Sequence, residues 1–450
     1  MGNLEDGMTG RFLILLVAPM MACGSPSPLP GLDDASRDYS RALAVFPGAE
    51  GFGTDTPAGR GGAVIVVDTL ADDGAGSLRW ALSQSGPRTI VFAVGGAIET
   101  RRNLEVHEPF VTIAGQTAPD PGITVSGAGL SVQTHDVLVQ HLTLRPGDAA
   151  DGPPFEDRDA LQIIGREDGR LEVYNIVIDH VSLSWSTDEA FSTWYAGVRD
   201  VTVSHCLIAE ALDRAGHPQG AHSKGFLIGD HTRRLAMLRN VLAHNDDRNP
   251  IFKGDTSALV VNNFIYDPGR WPVTFFDEED AGPMLTSLIG NDFVYGPSSQ
   301  ADHATVLVGR SVNDGTRIYL DGNRGWDLSD SQRSLVSAES GHGAVFVDVP
   351  PVSVLPLTVT SVEALEPTLL SIAGSRPAAR NPEDARVIET IRTRGGRIID
   401  HVDEVRVAWP ASSSRAPMLP DAPQSDADGN GYTRLEEWLH EQSVAVTRRL

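Results

Sequence analysis

Short apolar runs bounded by Gly, Pro or Asp are the dominant pattern along the chain from residue 63 onwards. Examples are Ala63–Val67 and residues 89–92, 111–113 and 123–125. Runs of this length and spacing, rich in Val and Ile, predict short β-strands joined by turns. No long amphipathic helix interrupts them, so the pattern predicts an all-β fold.

A recurring segment indicates that these strands stack. Residues 136–142, 175–181, 200–206, 235–241 and 258–264 each alternate apolar positions, then carry His or Asn, then another apolar residue. Repeats of this kind are typical of a solenoid. Stacked coils are expected to place on similar faces His141, His180, His205, Asn240 and Asn263, in a structural role. A sandwich or propeller would lack such a stacked polar position.

The repeat weakens after about residue 300, where other segments follow. Residues 382–403 predict a short capping helix that ends at Gly. Residues 409–425, rich in Pro and Ser, predict a linker, as do residues 24–43. The sequence therefore predicts a solenoid with a C-terminal cap over residues 44–408.

The N-terminus has the pattern of an export signal. Arg11 leads an apolar run that ends at Ala22, directly before Cys23. The run is too short for a membrane-spanning helix. We predict a lipoprotein-type signal peptide over residues 1–23 with Cys23 lipidated, and a protein that is exported, either as an outer-membrane lipoprotein or as a secreted chain.

The charge balance restricts the partners. The chain has 36 basic and 60 acidic residues, a net charge of −24. This acidity excludes nucleic acid, whose binding depends on basic side chains. The only two lysines, Lys224 and Lys253, fall in one short stretch, which suggests a specific role for each, since Lys and Arg differ in hydration and geometry.

Two groups of charged residues are candidates for chemistry. Asp157 and Asp159 would share one face of a strand, and Asp188, about one coil later, could approach them and complete a Ca²⁺ site. A solvated acidic face is the alternative. Lys224, about one coil before Arg248 and Lys253, could form with them a cationic cluster for ligand carboxylates, or the three could merely pair with Asp246 or Asp247.

A second Ca²⁺ site is predicted within residues 426–450. The spacing fits a single EF-hand-like or dockerin-like loop, with Gly431 at the sharp turn and a helix following. The ligands would be Asp426, Asp428, Asn430, the backbone carbonyl of Tyr432, and Glu437.

Several motifs together resemble one family. Residues 46–53, 76–79, 113–119, 178–180 and 185–189 resemble bacterial pectate lyases of polysaccharide lyase family 1, over about Ala44 to Pro410. The resemblance implies a right-handed parallel β-helix. It also implies Ca²⁺-dependent β-elimination of polygalacturonate, which yields unsaturated oligogalacturonides.

The resemblance also assigns roles to residues. Asp157, Asp159 and Asp188 match calcium ligands, whereas Ser192 stands where the family pattern has another Asp. Lys224 matches a substrate-binding lysine at the catalytic centre, and Arg248 matches the catalytic arginine. Lys253 stands where the family often has a second substrate-binding arginine.

Two alternatives to a lyase remain at this stage. A β-helix pectin hydrolase would use two carboxylates beside the scissile bond, and a non-catalytic solenoid would only bind polysaccharide. In each case we expect a monomer that contacts pectate or a related polymer, no nucleic acid, and a membrane only through the lipid on Cys23.

Overall fold

The computed structural model describes residues 35–300 and 302–448. Cys23, the predicted signal peptide and most of the first predicted linker lie outside these residues. Within the described part of the chain, no helix is both long enough and apolar enough to cross a bilayer.

The chain winds into a right-handed parallel β-helix, as predicted. Each coil contributes one strand to each of three sheets in turn. The first sheet contains Ala63–Val67, Arg88–Phe92, Val111–Ala114, Val137–Gln140, Val173–Asp179, Val198–Ser204, Arg233–Leu238, Ser257–Val261, Leu285–Ile289, Arg317–Asp321 and Val345–Phe346.

The other two sheets follow the same order. The second sheet contains Val94–Glu99, Ile123–Ser126, Leu142–Arg145, Ser182–Ser184, Leu207–Ala209, Val241–Ala243, Phe264–Tyr266, Asp292–Val294, Arg324–Trp326 and the antiparallel Ser413–Ser414. The third sheet contains Leu104–Val106, Leu130–Val132, Leu161–Ile164, Glu189–Trp194, Lys224–Ile228, Ile251–Phe252, Val273–Phe275, Val306–Val308 and Val336–Ala338. Ser36–Asp38 pairs separately with Ser353–Leu355.

Stacked apolar side chains fill the interior of the coil. In the first sheet, Val137, Ile176, Val201, Leu235 and Ala258 occupy one register on successive strands, and all are fully buried. In the third sheet, the phenyl rings of Phe191 and Phe226 stack with centroids 4.3 Å apart. The alternating apolar positions of the sequence therefore correspond to the inward-facing side of each strand.

The structure contains two adjacent stacks of polar residues, one of histidines and one of asparagines, where the sequence predicted one stack. His141, His180 and His205 share one position, with φ of 57°, 52° and 51°, and their neighbouring rings are 5.0 and 4.8 Å apart. The expectation that Asn240 and Asn263 occupy this position is wrong, because strand register places them one residue later.

The asparagines form a buried amide ladder that continues through Asn291 and Asn323. The Oδ1 of Asn263 accepts hydrogen bonds from the backbone N and the Nδ2 of Asn240, both at 2.9 Å. Asn291 repeats this arrangement with Asn263. A buried polar group left without its partner costs about 1–3 kcal/mol, so the ladder holds successive turns in one register.

The histidine stack is held by a buried carboxylate. His180 Nδ1 lies 2.8 Å and His205 Nδ1 3.1 Å from Asp179 oxygens. Burial alone would raise the pKa of Asp179, but the charges and hydrogen bonds of the two imidazoles hold this pKa well below its usual value. These contacts agree with a structural role for the histidines.

Helices cover the coil at three places. Leu78–Leu82 closes the N-terminal end, with Leu78 and Leu82 buried in the interior. Leu365–Ile372 and Pro382–Arg392 pack on the outer face of the second sheet. The predicted cap within residues 382–403 thus covers the side of the coil and not its end. Short 3₁₀ turns occupy Gly115–Thr117, Phe155–Asp157, Val362–Ala364, Pro377–Ala379 and Val402–Glu404.

The C-terminal segment returns to the first coils. Within residues 409–425, Ser413–Ser414 pairs with Val94 and Gly95 at the edge of the second sheet. The helix Arg434–Thr447 then packs on the outer face of the first sheet, where Leu435 and Leu439 are buried against Val91 and Ala114. The C-terminal segment is therefore held against the first coils of the β-helix.

Candidate active site

Four of the charged residues singled out in the sequence, Asp159, Asp188, Lys224 and Arg248, gather where strands of the third sheet begin. Strand register pairs Glu189 with Lys224, and Lys224 with Asp247 on the following coil. The backbone N of Ala160 donates to the Glu189 carbonyl at 3.1 Å, which puts Asp159 beside Glu189. Winding of the coil thus turns residues that are distant in sequence into one short row.

Three carboxylates at this edge can share a cation. Oxygens of Asp159, Asp188 and Glu189 lie within 4.8 Å of one another. Burial, followed by the charge of Asp188, raises the pKa of Asp159 well above its ordinary value. Carboxylates this close repel one another unless a proton or cation neutralises them, and oxygen ligands of this kind suit Ca²⁺. The residues present therefore fit a calcium ion.

The serine that replaces a family Asp contacts this group. The Ser192 hydroxyl donates to Asp159 Oδ2, and the Glu189 backbone N donates to Asp159 Oδ1 at 3.1 Å. Both bonds orient the Asp159 carboxylate. Ser192 thus orients the Asp159 carboxylate by a hydrogen bond, at a position where the pattern of the resembled family has an Asp.

Asp157 lies outside the three-carboxylate group, although its charge contributes to raising the pKa of Asp159. It ends the 3₁₀ turn Phe155–Asp157 and is exposed. The expectation that Asp157 and Asp159 alternate along a strand is wrong, because the strand begins only at Leu161. Between them, the buried Arg158 donates to backbone carbonyls, including Gly147 O at 3.0 Å. The third carboxylate of the group is instead Glu189, which the sequence contains next to Asp188 but whose role was missed.

Arg248 faces the carboxylates from the next coils. Its guanidinium forms an ion pair with Glu189, and its backbone, at φ of 60°, is fixed by a hydrogen bond from its N to Asp247 Oδ1 at 2.7 Å. Burial lowers the pKa of Arg248, although the charges of Asp188 and Asp159 oppose this shift. A largely buried arginine is therefore positioned directly beside the candidate calcium ligands.

The two lysines occupy different places. Lys224 Nζ pairs with Asp247 Oδ2 at 3.2 Å. The alternative expectation for Lys224, an ion pair with Asp246 or Asp247, is therefore found in the structure. Lys253 follows the strand Ile251–Phe252, whereas Arg248 precedes it. Lys253 Nζ lies 3.6 Å from Glu278 Oε2. Lys224 and Arg248 thus both bond to Asp247, Lys224 through its Nζ and Arg248 through its backbone N. Lys253 lies at the other end of the strand Ile251–Phe252.

Two histidines that the sequence reasoning left without a role hold Asp188. The Nε2 atoms of His222 and His217 lie 2.9 and 3.7 Å from Asp188 Oδ1, and the rings stack 3.6 Å apart. The backbone N of Gln219 donates to His217 Nδ1 at 3.2 Å, so the neutral ring carries its proton on Nε2, towards Asp188. In the sequence, only their position shortly before Lys224 indicates that His217 and His222 lie near the site.

Solved structures with this architecture include pectate lyases. A thermostable pectate lyase superposes with a TM-score of 0.53 at 12% identity, covering 74% of this chain and 98% of that one. A pectate lyase bound to a hexasaccharide gives a TM-score of 0.51 at 13% identity, covering 75% and 98%. At these identities the likeness establishes the fold.

Sequence relatives give the family. The chain is 32% identical over 391 residues to the probable pectate lyase C of Neosartorya fischeri, covering 87% of this chain and 86% of the relative. It is 31% identical over 426 residues to that of Aspergillus flavus, covering 89% and 94%. No family model matches the chain. The chain belongs to the pectate lyase family, which confirms the predicted polysaccharide lyase class. The sequence motifs resemble bacterial members, whereas these relatives are fungal.

Proposed function

We propose that the chain cleaves polygalacturonate by Ca²⁺-dependent β-elimination and releases unsaturated oligogalacturonides. The observation that carries the proposal is the placement of a largely buried arginine, Arg248, beside three carboxylates, Asp159, Asp188 and Glu189. Lys224 lies next to them as a cation for a substrate carboxylate. The family of the relatives supports the same reaction.

The proposed reaction breaks two bonds in one galacturonate unit. The proton on C5, adjacent to the carboxylate, leaves; its electron pair forms the C4–C5 double bond. The C4–O4 bond breaks, and the departing oxygen takes up a proton. The barrier is dominated by negative charge that develops on the C5 substituent, so positive groups near that carboxylate lower it.

The residues of this chain divide the work. Bound Ca²⁺ would be held by Asp159, Asp188 and Glu189 and would supply positive charge for the substrate carboxylate. Lys224 neutralises a carboxylate of the sugar chain, and Arg248 faces the C5 proton as its acceptor or as the cation that stabilises the intermediate. Arginine gives up its proton with difficulty, but burial already lowers the pKa of Arg248.

The grouping of three carboxylates against a guanidinium favours a lyase over a hydrolase. Glycosidases place their two catalytic carboxyl groups on either side of the scissile bond. Here one oxygen from each of the three carboxylates lies within 4.8 Å of the other two, and the guanidinium of Arg248 pairs with Glu189. This arrangement suits a shared cation better than an acid and a base on opposite sides of a sugar.

The reaction product provides the decisive test. The purified chain is mixed with polygalacturonate in excess Ca²⁺ or in chelator, and ultraviolet absorbance follows the new double bond. We expect absorbance to rise only with Ca²⁺. New reducing ends without absorbance would identify a hydrolase, and neither signal would leave a solenoid that binds without cleaving.

Export is part of the proposal. The apolar run before Cys23 supports processing of a signal peptide at that residue, with lipidation of Cys23 as the form that would anchor the chain in an outer membrane. Without lipid the mature chain would be secreted, and we propose a monomer in either form. The intact mass of the mature chain measures where processing occurs and whether acyl chains are attached.

The C-terminal loop is proposed as a separate, structural Ca²⁺ site. Its ligands would be Asp426, Asp428, Asn430, the Tyr432 carbonyl and Glu437; Asn430 Nδ2 lies 2.9 Å from Glu437 Oε1. The following helix is fixed to the coil, since Glu436 Oε1 pairs with Arg60 Nε at 2.7 Å. A cation in the loop would therefore stabilise the contact between the C-terminus and the first sheet.

Removal of this loop site is expected to abolish the stabilisation of the chain that Ca²⁺ provides through the loop. In a background lacking the catalytic site, Asp159→Asn, Ca²⁺ should raise Tm by a few degrees through the loop alone. Glu437→Gln in that background should abolish the rise, as followed by circular dichroism on heating. The exposed Asp421→Asn is the matched control and should keep it. A Ca²⁺-dependent rise that survives Glu437→Gln would contradict the loop site.

A further inference from the structure

An aromatic pair extends the row of charged residues at the edge of the third sheet. The indole of Trp271 and the imidazole of His303 are stacked, with centroids 3.6 Å apart and planes 7° from parallel. His303 Nδ1 lies 2.6 Å from the carbonyl oxygen of Arg270 and is fixed by that bond. His303 covers one face of the indole, while the Trp271 side chain remains partly exposed.

Backbone bonds place Trp271 one coil beyond Arg248. The N of Asn249 donates to the Pro272 carbonyl at 2.9 Å, and the N of Gly269 donates to the Asn245 carbonyl at 3.1 Å. The loop that carries Trp271 is thus joined on both sides to the loop that carries Arg248. Neighbouring strands are about 4.8 Å apart, so the backbone at Trp271 lies about one strand spacing from the backbone at Arg248.

The polar groups around Trp271 are already paired. Arg270 Nε lies 2.7 Å from Asp246 Oδ2, and Arg270 Nη2 lies 3.5 Å from Asp247 Oδ2, which also pairs with Lys224. This network fixes the loop and contributes little net charge. The loop therefore presents to a ligand the partly exposed Trp271, beside an Arg270 guanidinium that is already paired.

We propose that Trp271 stacks on a galacturonate ring bound one unit away from the sugar at Arg248. The inference rests on the proposed function. An α-galacturonate ring has one face formed by C–H groups at C3, C4 and C5, and such C–H groups are attracted to the negative face of an aromatic ring. A pyranose unit and one coil are similar in length, so a polymer lying along the edge presents successive sugars to successive coils.

The test separates binding from chemistry. Trp271→Ala should raise KM for polygalacturonate about fivefold with kcat nearly unchanged, and Trp271→Phe should restore most of the loss. The exposed Trp80→Ala, on the helix at the N-terminal end, is the matched control.

A second measurement needs no turnover. In a gel containing polygalacturonate, with chelator present, wild type and Trp80→Ala should be retarded more than Trp271→Ala. Equal retardation and equal KM for Trp271→Ala and Trp80→Ala would overturn the stacking role while leaving the lyase activity intact. Retardation lost in Trp271→Ala would support the role even if no unsaturated product forms. A wild type that neither cleaves nor is retarded would overturn both proposals.

Discussion

Arg248→Lys is expected to lower kcat by about 10³-fold or more while the chain stays folded and binds polygalacturonate. Lysine keeps a positive charge, but it lacks the planar guanidinium that here reaches Glu189 from a backbone with φ of 60°. Loss of a group that acts directly in proton transfer typically costs about 10²–10⁴-fold. Ultraviolet absorbance of the unsaturated product measures kcat, and retardation in a polygalacturonate gel measures binding.

Arg310→Lys is the matched control, because the Arg310 side chain is 81% exposed and lies well along the coil from the site. It should behave as wild type. If Arg248→Lys retained more than about a tenth of the wild-type kcat, Arg248 would neither accept the proton nor stabilise the intermediate, since those roles cost about 10²-fold or more.

Asp159→Asn should abolish Ca²⁺ binding at the catalytic edge and lower kcat/KM at least about 100-fold, and excess Ca²⁺ should not restore the loss. The amide has the shape of the carboxyl group but donates no charge to a cation. Burial and the charge of Asp188 disfavour the ionised carboxylate and raise the pKa of Asp159, so loss of this charge should cost the fold little stability in chelator. Calorimetric Ca²⁺ titration and activity at several Ca²⁺ concentrations measure the two effects.

Asp157→Asn distinguishes the structure from the sequence-based assignment. Family resemblance makes Asp157 a ligand, whereas the structure places it, exposed, outside the group formed by Asp159, Asp188 and Glu189. We expect Asp157→Asn to lower kcat/KM far less than Asp159→Asn. Equal losses would return Asp157 to the ligand set and weaken the case for Glu189.

The fold could be predicted because its signal is repeated. Alternating apolar residues followed by His or Asn recur in five segments, and each repeat predicts the same kind of strand. The error of one residue between the histidines and the asparagines arose because both polar types follow a similar apolar run. Only strand pairing reveals that Cys206, and not His205, aligns with Asn240.

The site was less predictable because it depends on loops of unequal length. Asp159, Lys224 and Arg248 were found through motifs. Glu189 could not be identified from the sequence because a motif gives residue types and not the orientation of their side chains. Asp188 already fills the acidic position of the motif. His217 and His222 meet Asp188 only because the intervening loop folds back on the coil, and loop paths of this kind leave no periodic trace in the sequence.

The strand Ser413–Ser414 affects the tendency of the protein to associate with other copies of itself. The first and last coils of a β-helix present unpaired backbone groups to which another chain could add by edge-to-edge association. At the N-terminal end, Leu78–Leu82 covers the interior and Ser413–Ser414 occupies the free edge of the second sheet. At the other end, the first sheet finishes in the two-residue strand Val345–Phe346. These features at the two ends of the coil disfavour edge-to-edge association of copies into fibres at high concentration.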